Sequence, residues 1–333
     1  MRKVRKGLVK SLNYFCLAGV VALGFMAVLA TGCGGGGGGG GGGGTPGISY
    51  SGLTTQASID ENNAEDLSTG ALIGYTAGSG IPIGAVQSDR KSDIKLPLNL
   101  RLPKVLEEGL YRLAIGLKSS RAVASVSCES ETFDGDCGGS AYGYLCVDDV
   151  SGFFDGYFIF SSYCSEGVTI DGRVNFSGTV DVITYEFLEF SLSLEDVTVL
   201  SGGYSFTLAG TIDYDFTSSP VAVTIDMLLS DDSNGKVYWV NDYTVSLTEG
   251  SGYSDVEISG RYYYPDYGYV IVTTAVPLRI YDGDDWPSDG ELIVTGADST
   301  SAKLIALSSS TYQVEADTDG DGVYEWDSGV LYW

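Results

Sequence analysis

The sequence predicts a mainly β protein, with an extended antiparallel meander tending to a sandwich or barrel-like sheet and a small N-terminal helical element. From Ala122 onward, Tyr, Val, Thr, Phe and Ile alternate with polar residues, and Gly, Asp and Ser interrupt the chain at short intervals. Successive side chains of a strand point to opposite faces of its sheet, so this alternation is typical of half-buried strands joined by short turns.

The clearest predicted hairpin is centred on Asn234-Gly235. Val221, Val223 and Ile225 alternate along the preceding segment, and the strand-like residues 236–240 follow. Asn-Gly readily adopts the two positive φ angles that a tight primed turn requires. We therefore predict a two-residue turn of this type.

A weak internal echo occurs within the predicted strands. Residues 176–181 and 208–213 share the form apolar-small-Gly-Thr-apolar-Asp, and residues 258–263 resemble them more loosely. The unequal spacing excludes a strict repeat. Duplicated hairpins or chance similarity would each produce it.

Two short helices are predicted before the sheet. Asp60 is a candidate N-cap for a first helix that Gly78 and Gly80 end, and residues 103–119 form a second apolar stripe. The chain then divides into a signal peptide (1–32), a lipidated Cys with a polyglycine tether (33–44), an N-terminal segment with the two helices (45–121), an antiparallel β domain (122–286) and C-terminal strands with a calcium-type loop (287–333).

The first residues predict export. Five basic residues up to Lys10 precede an uncharged, apolar stretch that ends at Ala30-Thr31-Gly32-Cys33. The ending resembles a bacterial lipobox, with Ala30 where Leu is usual, and the resemblance implies a lipid on Cys33. An uncleaved membrane helix is the alternative.

Eleven glycines at residues 34–44 follow Cys33 and form a flexible tether, because polyglycine has no side chains to pack. The arrangement resembles polyglycine-tethered bacterial lipoproteins, a resemblance that implies no activity. In such lipoproteins Gly34, rather than Asp, after the Cys favours the outer membrane. We expect a lipid anchor there, facing either the periplasm or the outside.

Charge excludes one class of partner. Loss of the five basic residues before Cys33 would change the formal net charge from −26 to −31. A body this acidic repels phosphate backbones, so we expect no nucleic-acid partner.

Four cysteines remain in the mature chain, and they lie within a short window. An even number in an exported protein predicts two disulfides, whereas a metal–thiolate site is the alternative. No Cys-x-x-Cys pair is present, which favours disulfides. The four residues are Cys128, Cys137, Cys146 and Cys164, and their pairing stays open.

The sharpest motif begins at Asp317 and ends at Glu325, with acidic residues at alternating positions and Gly322 for the sharp turn. It resembles the Asp-x-Asp-x-Asp-Gly calcium loops of EF-hands, dockerins and integrin-type repeats. Ser328 stands where an EF-hand has its bidentate Glu, so we expect a calcium-binding hairpin turn; a metal-free acidic turn is the alternative. The candidate ligands are Asp317, Asp319, Asp321, the carbonyl of Val323 and Glu325.

Catalytic signals are weak. The chain has no His, which removes the usual partner of a Ser or Cys nucleophile. Two carboxylates suffice for glycoside hydrolysis, but no pair among so many acids stands out. Tyr262, Tyr264 and Tyr267 belong to a Tyr cluster that suits sugar stacking, but ordinary sheet packing is favoured, since Tyr pairs well across strands.

The expected function is therefore that of a non-enzymatic, membrane-anchored lipoprotein with a structural or adhesive role. The alternatives are a surface module that binds a glycan or a protein partner and, less favoured, a carboxylate-dependent glycosidase.

Overall fold

The computed structural model describes residues 47–79, 126–165, 167–183, 187–284 and 286–333. Within these ranges one α-helix, α1 (Ala64–Ser79), precedes fifteen strands. The strands are β1 (Val126–Asp134), β2 (Gly138–Asp148), β3 (Phe153–Ser165), β4 (Val168–Val180), β5 (Phe187–Ser201), β6 (Tyr204–Asp215), β7 (Val221–Asp231), β8 (Lys236–Glu249), β9 (Tyr253–Tyr264), β10 (Gly268–Tyr281), β11 (Asp289–Thr295), β12 (Ser301–Ser308), β13 (Thr311–Asp317), β14 (Trp326–Asp327) and β15 (Leu331–Tyr332).

The strands form one antiparallel sheet in sequence order from β1 to β14, and β15 pairs with β13. The predicted mainly β meander with a small helical element is confirmed. Among the described strands, β1 does not pair with the β13–β15 end, so the sheet is open rather than closed into a barrel.

One face of the sheet carries the core. Cross-strand partners on this inner face are buried together: Phe158 lies opposite Val174, and Leu192 lies opposite both Phe176 and Ile212. The same face continues to the C-terminal strands through Ile225, Val245, Ile258, Leu292, Leu304 and Val314. The opposite, outer face is polar over most of β3 to β8, which explains the alternation in the sequence.

A line of β-bulges crosses the sheet from β3 to β9. Ser162, Asp196 and Asp242 have positive φ at these bulges, and Gly172 and Gly260 lie opposite the last two. A bulge adds one residue to its strand and bends it. The apolar residues on both sides of the line therefore remain on the inner face. The register shifts lie between Phe160 and Tyr163, Asp171 and Arg173, Leu194 and Val197, Ile225 and Met227, and Asn241 and Thr244.

Helix α1 begins as predicted. The Asp60 carboxylate accepts hydrogen bonds from the backbone N–H groups of Asn62 (2.8 Å) and Asn63 (3.2 Å), while the Asn63 side chain accepts one from the Asp60 N–H (2.9 Å). These reciprocal bonds satisfy N–H groups that the first helical turn leaves unpaired. The second predicted helix, residues 103–119, lies outside the described residues, as do the signal peptide and the tether.

Helix α1 covers the inner face of β7–β9 and β11–β13. Its buried stripe comprises Ala64, Leu67, Ala71 and Leu72. At Gly70 the helix backbone approaches the Tyr262 ring so closely that any Cβ would clash, so this position requires glycine.

Residues 47–59 form a segment, here named the strap, that reaches the inner face from the outer one. Ile48 N–H donates to the Asp196 carboxylate on β5 (3.1 Å), and the Tyr50 ring lies 5.8 Å from Trp239 and 5.6 Å from Tyr263. Trp239 lies between buried neighbours on β8 and therefore points to the outer face.

Beyond Tyr50 the strap passes the β9–β10 turn. Leu53 N–H donates to the Pro265 carbonyl (2.9 Å), Ala57 N–H donates to the Tyr269 carbonyl (2.8 Å), and Ala297 N–H donates to the Ala57 carbonyl (2.6 Å). The strap thus delivers the chain to Asp60, where α1 begins on the opposite side of the sheet.

The β7–β8 hairpin exists, but the predicted turn type is wrong. The strands end at Asp231 and resume at Lys236, so the loop has four residues, and of the predicted pair only Gly235 has positive φ. The Asp231 carboxylate accepts the N–H of Ser233 (2.9 Å) and the Asn234 side-chain amide (2.9 Å). These local bonds stabilise a wider turn than Asn-Gly alone predicts.

Both predicted disulfides are present. Cys128 and Cys146 face each other across the β1–β2 ladder and are bonded. Cys137, in the β1–β2 turn, is bonded to Cys164 near the end of β3. Together they join the first three strands of the sheet covalently.

Candidate functional sites

The predicted calcium loop connects β13 to β14. Asp317, the last residue of β13, is only 2 % exposed, and its two carboxylate oxygens accept the N–H groups of Gly320 (2.7 Å) and Gly322 (2.9 Å). Both glycines have positive φ, 76° and 89°, which lets the backbone curl around the carboxylate. The alternation of Asp and Gly thus folds the loop around its first acid.

Three predicted ligands come together in this loop. Carboxylate oxygens of Asp317, Asp319 and Glu325 lie within 4.8 Å of one another. Thr318 positions Glu325, because its hydroxyl and its N–H both donate to the Glu325 carboxylate. The Thr318 hydroxyl bond, followed by the N–H bond, lowers the pKa of Glu325 and favours its charged form.

Such a group suits a hard cation. Each carboxylate oxygen that accepts one N–H keeps a further lone pair for a metal. Three negative groups this close repel one another, and a divalent cation would reverse that repulsion. The arrangement can therefore hold a metal ion through oxygen ligands.

Asp321 lies outside the acidic group. The Asp321 carboxylate accepts the Val323 N–H (2.8 Å), which closes a local turn, and the Val323 side chain is exposed. The strands on either side agree with a hairpin turn rather than a helical EF-hand. The structure thus gathers three of the four predicted acidic ligands.

The predicted sugar-stacking role of Tyr262 and Tyr264 is wrong. Tyr262 is 3 % exposed and Tyr264 is fully buried, so neither ring has a free face. Both pack on Tyr238, and burial is the main cause that raises the pKa of Tyr262 well above its usual range. Tyr267 is half-buried against the Tyr264 ring, 4.6 Å away between centroids.

A different aromatic surface lies on the outer face of β2–β4, and sequence reasoning did not single it out. The Tyr144 and Tyr157 rings stack at 5.5 Å, and the Arg173 guanidinium lies 4.2 Å from the Tyr157 centroid. They border a depression of about 360 Å³. The sequence carries one signal for this surface: both Tyr residues occupy positions in their strands where the in-out alternation places polar residues.

Comparison with protein-family models, with curated proteins and with solved structures finds no match. The fold and the loop therefore define only a structural class: an open antiparallel meander with two disulfides, one covering helix and an acidic loop able to hold a metal. In the described part of the chain, no helix has both the length and the apolar character needed to cross a membrane.

Proposed function

We propose that this protein is exported, is held at the outer membrane by a lipid on Cys33, and acts there as a non-enzymatic structural or adhesive protein. The observation that carries the proposal is the pairing of all four cysteines that follow the predicted lipid site. Disulfides persist in oxidising compartments and are rare in the cytosol. The basic and apolar start of the chain supplies the route to such a compartment.

A structural or adhesive role is supported by the architecture. The long sheet is tied covalently at its first strands, and its inner face is filled by one continuous core. The polyglycine tether would keep this body close to the membrane while leaving it free to rotate.

Replacement of the lipid site tests the address. In the native cell, the wild type is expected in the membrane fraction with an acylated Cys33 at its N-terminus, whereas Cys33→Ser abolishes acylation. Mass spectrometry of the N-terminal peptide and membrane fractionation provide the two measurements.

Cys16→Ser is the matched control, since it removes a thiol from the predicted signal and should leave acylation unchanged. An unmodified Cys33 thiol, or an intact leader, in the native protein would rule out this address.

We further propose that the β13–β14 loop binds calcium through Asp317, Asp319 and Glu325. The support is the convergence of their oxygens around a buried first acid, on a hairpin braced by distant residues: Gly320 packs on the backbone of Asp298 and Ser299. Extracellular calcium loops have dissociation constants of roughly 10⁻⁴ to 10⁻³ M. Binding would fix the C-terminal hairpin against the rest of the sheet.

Calcium should raise the melting temperature of the wild type. At about 10 mM calcium the stabilisation should be about 1.4–2.7 kcal/mol, or roughly 3–10 °C for a domain of this size. Asp319→Ala should lose this response, as measured by thermal unfolding with and without the ion.

Asp282→Ala removes the same charge from another exposed loop and should keep the full calcium response. An equal shift in Asp319→Ala and the wild type would show that calcium acts elsewhere. No shift in any variant would leave the metal-free acidic turn as the correct description.

A further inference from the structure

Two rows of side chains cross the outer face of β2–β6 and line the depression described above, here named the trough. The first row consists of cross-strand partners, with Tyr144 opposite Tyr157, Tyr157 opposite Asn175, Asn175 opposite Ser193, and Ser193 opposite Thr211. These five residues therefore form one line perpendicular to the strands. The line has aromatic rings at one end and short polar side chains at the other.

The second row runs beside the first. Asp155 lies opposite Ser177, Ser177 opposite Ser191, and Ser191 opposite Asp213. Small hydroxyl side chains occupy its middle and carboxylates its ends. Short side chains between longer ones account for the hollow, whose volume is about 360 Å³.

The aromatic end of the trough is held in place before any ligand arrives. Arg173 lies over the Tyr157 ring, and its Nε donates to the Asn175 side-chain oxygen (2.7 Å). The Asn175 amide in turn donates to Glu195 (2.5 Å). A platform fixed by such contacts loses little conformational entropy on binding.

The floor of the trough keeps hydrogen-bonding capacity for a ligand. The hydroxyls of Ser177, Ser193 and Thr211 line it, and each can both donate and accept a hydrogen bond. Ser191 donates to Asp213 (2.6 Å), whose carboxylate can accept further bonds. Donors and acceptors thus alternate over a short distance beside the half-buried rings of Tyr144 and Tyr157.

We propose that the trough binds a neutral oligosaccharide that lies across the strands. A sugar ring combines an apolar face, which suits Tyr144 and Tyr157, with hydroxyl groups that both donate and accept, which suits the Ser, Thr, Asn and Asp side chains. Strands are about 4.8 Å apart, so the five-residue row is about 19 Å long and accommodates several sugar units.

Charge decides between this ligand and two others. The chain has a formal net charge of −26, and Asp155 and Asp213 lie in the trough, so an anionic polymer is repelled. For a basic peptide the trough offers only the two separated carboxylates of Asp155 and Asp213, the second already bonded to Ser191, and Arg173 lies over the Tyr157 ring at the aromatic end. The rest of the lining is uncharged rings, hydroxyls and an amide, which suits a neutral ligand. The site depends neither on the lipid at Cys33 nor on calcium.

The test is direct binding to the purified full chain in detergent. The probes are neutral hexasaccharides built from glucose, xylose, mannose and N-acetylglucosamine, together with polygalacturonate and polylysine. Titration calorimetry should show saturable binding of at least one neutral hexasaccharide. Tyr157→Ala should weaken it about tenfold, the factor for about 1.4 kcal/mol, through loss of the stacking surface.

Thr211→Trp supplies a second variant, because it fills the trough from an exposed position without disturbing the core, and it should abolish binding. Tyr204→Ala removes an exposed ring at the start of β6, outside the trough, and should bind as the wild type does. Circular dichroism verifies that each variant is folded. The proposal is overturned if no neutral probe binds, if both trough variants bind normally, or if polylysine or polygalacturonate alone is retained.

Discussion

Tyr243 and Tyr262 are large side chains with ionisable groups inside the core. The Tyr243 hydroxyl donates to the Ala71 carbonyl of α1 (3.2 Å), and Tyr262 packs under Gly70. Burial is the main cause that raises the pKa of both hydroxyls well above the ordinary tyrosine value. Their rings therefore connect the helix to the sheet only while they are neutral.

Alkaline titration should expose this coupling. A raised pKa in the folded state stabilises the fold below the unfolded pKa, about 10, and that stability is lost as the pH rises further. We expect Tyr243 and Tyr262 to ionise only with unfolding. The part of the tyrosinate absorbance that a Tyr243→Phe, Tyr262→Phe variant lacks should therefore appear together with the loss of β-sheet circular dichroism, above pH about 10. Double replacement by Phe should shift that unfolding to higher pH. Ionisation of these residues in a chain that stays folded would contradict their burial.

The burial of Tyr263 shows where prediction from the sequence fails. Alternation predicts that Tyr263, between two inward neighbours, faces solvent, yet all three residues from Tyr262 to Tyr264 are buried. Tyr50 of the strap lies against Tyr263 on the outer face, and α1 packs on Tyr262 from the inner face. Both covers come from segments about 200 residues away, which no local pattern reveals.

Among the elements, the bulge line depends on glycine at the points where strands approach most closely. Gly210 on β6 has φ 139°, and a Cβ there would collide with the Asp226 carbonyl oxygen of β7. Gly235 in the β7–β8 turn also has positive φ, 71°, but open space around it. Comparing Gly210 with Gly235 therefore separates the free-energy cost of a positive φ from the cost of a clash with neighbouring backbone.

Gly210→Ala should lower the free energy of unfolding by about 3 kcal/mol, since backbone strain and a backbone clash act together. Gly235→Ala should lower it by only about 1 kcal/mol, the cost of the positive φ alone. Urea unfolding followed by circular dichroism measures both. Equal losses would mean that the strands separate easily at the bulge line.

The internal echo in the sequence is partly explained by these elements. Gly210 and Gly260, the central glycines of two echo segments, both have positive φ on the bulge line. Gly178, in the third segment, does not, but a Cβ there would meet the Glu189 carbonyl oxygen of β5 and the Phe154 ring. Close approach of a neighbouring strand is therefore common to all three glycines, whereas the positive φ is not.

At the scale of the molecule, the strap holds the residues before helix α1 against the sheet. Tyr50→Ala should release its outer part without unfolding the sheet, because the ring is the main side-chain contact there with Trp239 and Tyr263. Limited proteolysis should then cleave within residues 47–56 several times faster. Leu53→Ala, which trims an exposed side chain and keeps the backbone bond to Pro265, serves as control. Unchanged cleavage in Tyr50→Ala would mean that backbone bonds alone hold the strap.

The fold class, the first helix, the β7–β8 hairpin and the two disulfides were all predictable, because each has a local signal in periodicity, capping or cysteine count. The disulfide pairing was not, since Cys128 meets Cys146 only through the β1–β2 register. The trough was not predictable either, because its rows join five strands whose registers depend on every preceding turn and bulge.

The path of the strap determines how tension on the N-terminus is distributed. A pull at Gly47 acts first on the Ile48–Asp196 hydrogen bond and then on the contacts of the Tyr50 ring. Only afterwards does it act on the backbone hydrogen bonds around Ala57. Because these contacts break in series, helix α1 bears load last. Under force applied at its N-terminal end, the chain would therefore extend in small, reversible steps before its core is disrupted.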